Sequence, residues 1–248
     1  MRIPRIYSEQ DLLPGREVLL PEQAGEHVAR VLRMERGHPL ILFNGDGREC
    51  DARLASLAKR AVTAEVLSIR EVDREAPLKL TLAQSIARGE KMDWILQKAT
   101  ELGVARIVPI VTERTEVKLD EERAERRLAH WRNVAIAACE QSGRARVPDI
   151  AAPAQLTMHL SGVDEDVLRL ALDPEGEPPS TLLHAGSVAP TATIHLVVGP
   201  EGGLSERDLA QLRAAGFRGL RLGPRILRTE TAGPAALAAL QALLGDLR

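Results

Sequence analysis

Two stretches near the C-terminal end have residue types and spacing that could do chemistry. In the first, the β-type run Ile194-His195-Leu196-Val197-Val198 stops at Gly199-Pro200-Glu201-Gly202-Gly203-Leu204-Ser205, and a helical pattern follows. Strand, glycine-rich loop and helix is the usual layout of a nucleotide site. This loop is nevertheless a poor phosphate cradle. Such cradles point backbone N–H groups at an anion. Pro200 has no N–H, and Glu201 puts negative charge where a phosphate would sit. The loop suits a nucleoside-like ligand that is neutral or cationic, and S-adenosylmethionine, with its sulfonium, is such a ligand. A plain tight turn from strand to helix would also use these glycines and this proline. The second stretch is Leu222-Gly223-Pro224-Arg225-Ile226-Leu227-Arg228-Thr229-Glu230-Thr231, again between a strand and a helix pattern. In a parallel sheet, loops at the carboxyl ends of strands share one edge, and ligands bind there. Two glycine–proline loops leaving neighbouring strands would wall a single pocket. Arg225, Arg228 and Glu230 are charged in an otherwise apolar stretch. A solvated helix start is the alternative reading.

Elements must hold these loops. Residues 78–86, 106–112, 167–172, 194–198 and 219–222 read as strands. Residues 90–102 read as a helix with Met92, Ile95, Leu96, Ala99 and Leu102 on one face and Gly103 as its stop. Residues 121–141 form a longer helix, ended near Gly143, and residues 174–179 read as a loop. Ser205 with Asp208 makes a capping-box-like start for a helix ending at Gly216. A last helix runs from about Thr231 to Leu244. Strands alternating with helices predict a parallel sheet covered on both faces. The N-terminal part differs. Residues 17–20, 39–43, 50–57 and 61–69 read as strands, with a hairpin signal at Asn44-Gly45-Asp46-Gly47 and a turn at Lys59-Arg60. One helix interrupts them, opened by Pro21, with Val28, Val31 and Leu32 on a shared face. This block reads as a small β-barrel. The polar run Glu71-Val72-Asp73-Arg74-Glu75-Ala76-Pro77 reads as a linker. The expected domains are therefore residues 1–72 and 73–248.

Composition limits the function classes. The chain has 248 residues and a net charge of −2, which argues against a uniformly basic nucleic-acid coat. Local asymmetry is larger. Residues 204–232 carry six arginines against three acids, so a basic patch on a neutral protein is compatible with RNA. Aromatic residues are only 2%, which disfavours base-stacking platforms. No apolar run is long enough to cross a membrane. The two cysteines, Cys50 and Cys139, form no CxxC pair and fit buried thiols in a reducing cytoplasm. Neither they nor the scattered histidines make a metal-ligand pattern. His27, Arg30 and Arg33 trace one helix face, as a phosphate-contacting stripe would, although His27 taken alone reads better as a capping or packing residue. Arg144 and Arg146 follow a helix C-terminus, where cations also serve the helix dipole. Trp94 and Trp131 read as packing residues.

Five segments carry a resemblance: HVARVLRMERG from His27, RGEKMDWILQKATELGV from Arg88, ACEQSGRARVP from Ala138, LVVGPEGGLS from Leu196 and LGPRILRTETA from Leu222. Together, in this order, they resemble the RsmE family, bacterial 16S rRNA uracil-N3 methyltransferases of the SPOUT superfamily. The likeness implies an α/β protein: an N-terminal PUA-like β-barrel, then a SPOUT-type domain with a parallel sheet and a C-terminal trefoil knot. It implies S-adenosyl-L-methionine as cofactor, 16S rRNA of the small subunit's decoding region as substrate, a homodimer and a cytoplasmic location. The cofactor residues it implies are Leu172, Val198, Gly199, Pro200, Glu201, Gly202, Gly203, Leu222, Gly223, Ile226, Leu227, Arg228 and Thr229. Its RNA contacts are Arg5, His27, Arg30, Arg33, Arg88, Lys91, Arg144 and Arg146. Arg228 is the candidate stabiliser of charge on the uracil oxygens. Glu230 is a candidate base, or a partner that orients an arginine. One departure is Gly233-Pro234 after RTETA, tolerated near a first helical turn. Two alternatives stay open: a related enzyme acting at another RNA position, and an RNA-binding assembly factor without catalysis.

Overall fold

Short β-type runs separated by turn residues build the first part of the chain. The computed structural model describes residues 3–58, 61–117, 120–164, 166–183, 189 and 192–247. The chain folds as two units, one of Met1–Glu75 with Ile136–Val147 and one of Ala76–Ala135 with Pro148–Arg248.

The first unit holds β1 (Arg5–Tyr7), β2 (Glu17–Leu19), β3 (Pro39–Phe43), β4 (Arg48–Ala58) and β5 (Ala61–Glu71). They form a five-stranded sheet in the order β1-β3-β4-β5-β2. The Asn-Gly turn joins β3 to β4 as an antiparallel pair, as its sequence predicts. The turn expected at Lys59-Arg60 lies outside the described residues. β1 was not legible as a strand. It pairs in parallel with β3. Alternate residues of the strands, such as Leu40, Leu42, Leu54, Ala64 and Val66, point into one core, where Val28 joins them.

The helix after Pro21 departs from expectation. α1 (Glu22–Glu26) passes directly into a π-helical turn, His27–Val31. There the Leu32 N–H donates to the His27 carbonyl, an i→i+5 bond. The wider turn shifts the helical register. Val28 is fully buried, but Val31 and Leu32, expected on the same face, are exposed. Arg33 follows with φ of 47°, uncommon for a residue with a side chain.

The second unit is the alternating part. It contains β6 (Lys79–Ser85), α2 (Lys91–Glu101), β7 (Arg106–Val111), the long α3 (Glu121–Ser142), β8 (Asp149–Ile150), β9 (Ala154–Gln155), α4 (Leu156–Leu160), β10 (Leu168–Glu177), α5 (Pro179–Leu182), β11 (Thr193–Val198), α6 (Glu206–Ala214), β12 (Arg218–Leu220) and α7 (Thr229–Leu244). The last part of α3 groups with the first unit. The sheet has seven strands in the order β12-β10-β11-β6-β7-β8, with β9 also on β7. Every pairing in it is parallel. Ile194, Leu196, Val197 and Val198 are all buried, so the continuous apolar run reports a strand covered on both faces. α2 buries Met92, Ile95, Leu96 and Ala99 as its pattern predicts. Trp131 is buried, whereas Trp94, expected to pack, is half-exposed with the Lys98 ammonium over its ring.

Two local expectations are corrected. The loop expected at residues 174–179 is mostly strand. β10 runs on to Glu177 through a bulge after Leu172 and pairs again with Leu220. Pro174 falls in the bulge, where its missing N–H breaks no ladder bond. Gly176 crosses Gly219 so closely that a Cβ on Gly176 would lie 2.4 Å from the Gly219 carbonyl carbon. The last helix also starts earlier, at Thr229, with Arg228 as its N-cap. Pro234 is therefore inside the helix, beyond the first turn. Its ring removes the N–H that would bond the Glu230 carbonyl. α7 packs on α2, β6 and β11, and the buried Gln241 amide donates to the Leu102 carbonyl at 3.1 Å.

Candidate functional site

Three adjacent strands, β12, β10 and β11, end at one edge of the parallel sheet. The loops after β11 and β12, the bulged part of β10 and Arg114 after β7 border a cavity of ≈ 640 Å³. Leu172, Val198, Gly199, Pro200, Glu201, Gly202, Gly203, Leu222, Gly223, Ile226, Leu227 and Thr229 all border it. Arg228 stands between two lining residues but does not line the cavity itself. Its side chain is exposed and makes no ion pair among the described residues. The two glycine–proline loops thus share one pocket, because parallel strands deliver their carboxyl ends to the same edge.

The loop after β11 is pinned at both ends. At its start, the Thr229 hydroxyl donates to the Gly199 carbonyl at 2.7 Å. The fully buried Gln84 amide donates to that hydroxyl and to the Ser85 carbonyl, both at 3.0 Å. A Cβ on Gly199 would lie 2.8 Å from the Leu204 nitrogen, so only glycine fits. At its other end, Ser205 caps α6 in a reciprocal box with Asp208. The Ser205 hydroxyl also donates to Glu113 at 2.6 Å. Next to Glu113, the Arg114 guanidinium donates to the Gly202 carbonyl at 2.8 Å. Sequence reasoning missed Gln84, Glu113 and Arg114. They stand on β6 and after β7, far from the loop in sequence, and only the sheet order brings them to it.

Glu201 is not a bare negative charge. Its carboxylate accepts from the Arg88 backbone N–H at 3.1 Å and from the Lys91 ammonium at 3.2 Å. Burial pulls the other way, but these bonds and its own N–H hold the Glu201 carboxyl below the usual range. Glu230 lies 3.7 Å from the same Lys91 ammonium, and one of its oxygens is buried without a hydrogen bond. It does not line the cavity, and its ion partner is Lys91; the sequence offers it as a base or as a partner that orients an arginine. Arg88 and Lys91, expected to contact RNA, are tied to Glu116, Glu201 and Glu230.

The other expected RNA contacts divide. Arg5 and Arg144 are buried. Arg5 pairs with the fully buried Glu49, and Arg144 with Glu75 at 2.5 Å. Arg70 and Arg74 also reach Glu49, and Arg74 donates to the Gly143 carbonyl. This network joins residues 136–147 to the first unit. A buried guanidinium that left such a pair would strand a carboxylate, and both Arg5 and Arg144 are engaged in this way. His27, Arg30, Arg33 and Arg146 are exposed.

A further polar pair, the buried His195 and the partly buried His159, links the sheet to α4. His195 on β11 and His159 on α4 approach at 2.8 Å between their Nε2 atoms. Burial, then the neighbouring His159, Arg106 and Arg169, pushes the His195 imidazole down to about 3. Both cysteines are free and buried, and burial pushes the Cys139 thiol up to about 12.

Comparison with known proteins agrees with this layout. Residues 74–241 match a model described as an RNA methyltransferase domain, and residues 20–67 match an RNA methyltransferase PUA domain. Ribosomal RNA small subunit methyltransferase E of Bacillus subtilis is 35% identical over 218 residues, 86% of this chain and 85% of the relative. The chain belongs to the RsmE family. Two solved structures are similar over the full length of both chains. A methyltransferase from Legionella pneumophila, in complex with the bound cofactor SAM, has 42% identity and a TM-score of 0.93. Ribosomal RNA small subunit methyltransferase E from Neisseria gonorrhoeae, bound to S-adenosyl methionine, has 40% identity and a TM-score of 0.89. The fold is a PUA domain followed by a parallel α/β domain.

Proposed function

We propose that this protein transfers a methyl group from S-adenosylmethionine to N3 of one uridine in 16S rRNA, in the decoding region of the small subunit. Methylation of small-subunit rRNA is the activity in the names of its relatives. The observation that carries the reading is the single cavity bordered by both glycine–proline loops. Its leucines, Leu172, Leu220, Leu222 and Leu227, suit an adenine ring. Its ionised Glu201 and the missing N–H of Pro200 suit a cationic cofactor better than a phosphate. When bound, S-adenosylmethionine supplies an electrophilic methyl group.

The protein has three tasks. The clamped loop after β11 fixes the position of the cofactor, and orientation supplies much of the rate. The uridine N3–H must lose its proton, and the negative charge spreads to the uracil oxygens. Arg228, exposed beside the cavity and unpaired among the described residues, is assigned to that charge. Glu230 is assigned to bracing the start of α7 through Lys91. The exposed His27, Arg30, Arg33 and Arg146 are assigned to the RNA backbone. The trefoil knot belongs to the same reading. It is supported by the return of the chain from the edge strand β12 to pack α7 on β6 and β11. So does a homodimer in the cytoplasm. Half-exposed Trp94, Leu243 and Leu247 offer apolar surface to a second copy. Among the described residues no helix is long and apolar enough to cross a membrane.

The test is methyl-site mapping. Purified protein, labelled S-adenosylmethionine and small subunits lacking the modification should yield N3-methyluridine at one position, read by nuclease digestion and mass spectrometry. A methyl group on a ribose or on another base atom would overturn the assignment. Sedimentation of a fully active monomer at micromolar concentration would remove the dimer.

A further inference from the structure

The cavity has a cation that the methyl-transfer reading does not use. Arg114 follows β7 and borders the cavity. Its Nη1 donates to the Gly202 carbonyl at 2.8 Å and lies 3.5 Å from the Leu204 carbonyl. Its aliphatic stem runs along Gly202, where an added Cβ would meet it at 3.4 Å. The turn that carries it is held as well. The Thr115 hydroxyl accepts from the Thr112 N–H at 2.9 Å, and the neighbouring Glu113 carboxylate is engaged by Ser205. Among the described residues Glu113 makes no ion pair with Arg114, its carboxylate accepting from Ser205 instead.

A guanidinium has five donors. The two carbonyls engage only Nη1, and Nε and Nη2 have no protein acceptor among the described residues. A cation anchored by one arm and open on another is arranged for a carboxylate, which guanidinium binds in a two-pronged way. Fixing the arginine beforehand lowers the ordering cost of binding. The other cavity arginines, Arg221 and Arg225, are exposed as Arg114 is, but have no such anchor among the described residues. Strand order adds a polarity. β7, which delivers Arg114, and β10, which delivers Asp173 and Glu175, lie on opposite sides of β11. Asp173 and Glu175 thus border the cavity on the β10 side and the held guanidinium on the β7 side, while Glu201 between them is paired with Lys91, a polarity that suits a zwitterion with an extra positive charge.

We infer that Arg114 is the receptor for the carboxylate of the ligand's amino-acid end. This rests on the S-adenosylmethionine reading above and adds which residue recognises the amino-acid portion. The alternative is that Arg114 only shapes the loop through Gly202.

Two ligands separate these roles. S-adenosylmethionine carries the carboxylate, and 5′-methylthioadenosine lacks the whole amino-acid end. Calorimetry of both on the full-length protein, without RNA, would be compared for wild type, Arg114→Ala and Arg114→Gln. Arg114→Ala should weaken S-adenosylmethionine roughly tenfold to hundredfold, the loss typical of a charge-assisted pair. Binding of 5′-methylthioadenosine should stay within about twofold, since no paired charge is removed. Arg114→Gln can still donate to the Gly202 carbonyl but has no charge, so it should follow the alanine variant. Parallel loss for both ligands, no loss for either, or full S-adenosylmethionine affinity in the glutamine variant would overturn the assignment. If the wild-type protein binds neither ligand, the cofactor reading falls and this assignment falls with it. Thermal unfolding of each variant shows whether a loss reflects misfolding, and the glutamine variant keeps the loop contact if alanine does not fold.

Discussion

Arg228 occupies an unusual place for an arginine of this chain. Many of its other arginines are paired with carboxylates, as Arg5, Arg70, Arg74 and Arg144 are. Arg228 caps α7 with its backbone carbonyl, which accepts from Thr231 and Ala232, and leaves its side chain exposed between two cavity residues. Replacing it should leave the loop intact. If it stabilises the uracil anion, Arg228→Ala lowers the single-turnover rate by roughly 10²-fold with little change in cofactor affinity. A bracing role would lower cofactor affinity first. Rapid-quench methylation at saturating cofactor and RNA decides, and a near-normal rate there removes Arg228 from the chemistry. The neighbouring Thr229 has the opposite character. Its hydroxyl is occupied between Gln84 and Gly199. Thr229→Val should weaken S-adenosylmethionine binding, roughly tenfold by the scale of one lost buried hydrogen bond with partners left unsatisfied, in equilibrium titration. Unchanged affinity would show that the loop holds its shape without that link.

Between elements, the buried His195 of the histidine pair joining β11 to α4 makes stability depend on pH. The unfolded chain protonates His195 near the ordinary value of about 6.5. In the folded protein the group stays neutral until about 3. The unfolded state therefore binds more protons between these values. Stability is present above the unfolded pKa and is lost as pH falls toward the folded one. From pH 7 to pH 5 the loss from this group is roughly 2 kcal/mol. Denaturant melts of His195→Leu should show a smaller drop over that range than wild type. Parallel drops would mean that other groups set the acid limit. The π-turn is a second element-scale feature. By shifting the register after Val28, it turns Val31 and Leu32 outward together with the exposed Arg30 and Arg33.

The whole molecule divides its charges unevenly between structural and surface roles. The first unit holds Glu49 with Arg5, Arg70 and Arg74. On this unit the residues proposed for RNA are the exposed His27, Arg30 and Arg33 at the π-turn, together with the exposed Arg146. Two arginines on phosphates each contribute about one to the slope of log affinity against log salt. Replacing Arg30 and Arg33 with alanine should lower that slope by about two and weaken RNA binding at low salt, without altering S-adenosylmethionine affinity. Filter binding over a salt series reads the slope. An unaltered slope would place the RNA contacts elsewhere on the protein.

The periodicities alone determined a great deal. The apolar run at residues 194–198, the α2 face, the Ser205 cap and the Asn-Gly hairpin all appear where local pattern put them. They depend on near neighbours in the chain, so a sequence can report them. The pocket between the two glycine–proline loops was also legible, because parallel strands send their carboxyl ends to one edge. Tertiary structure decided the rest. β10 continues through Pro174 because Glu177 finds Leu220, a partner more than forty residues away. Val31 and Leu32 face outward because one i→i+5 bond replaces the expected register. Arg5 and Arg144 are buried because Glu49 and Glu75 lie beside them only after folding. Arg114, Glu113 and Gln84 come to the loop after β11 through strand order, which no local window contains. Pairing partners and burial are properties of distant contacts, and charge type alone does not reveal which arginine will meet solvent and which a buried carboxylate.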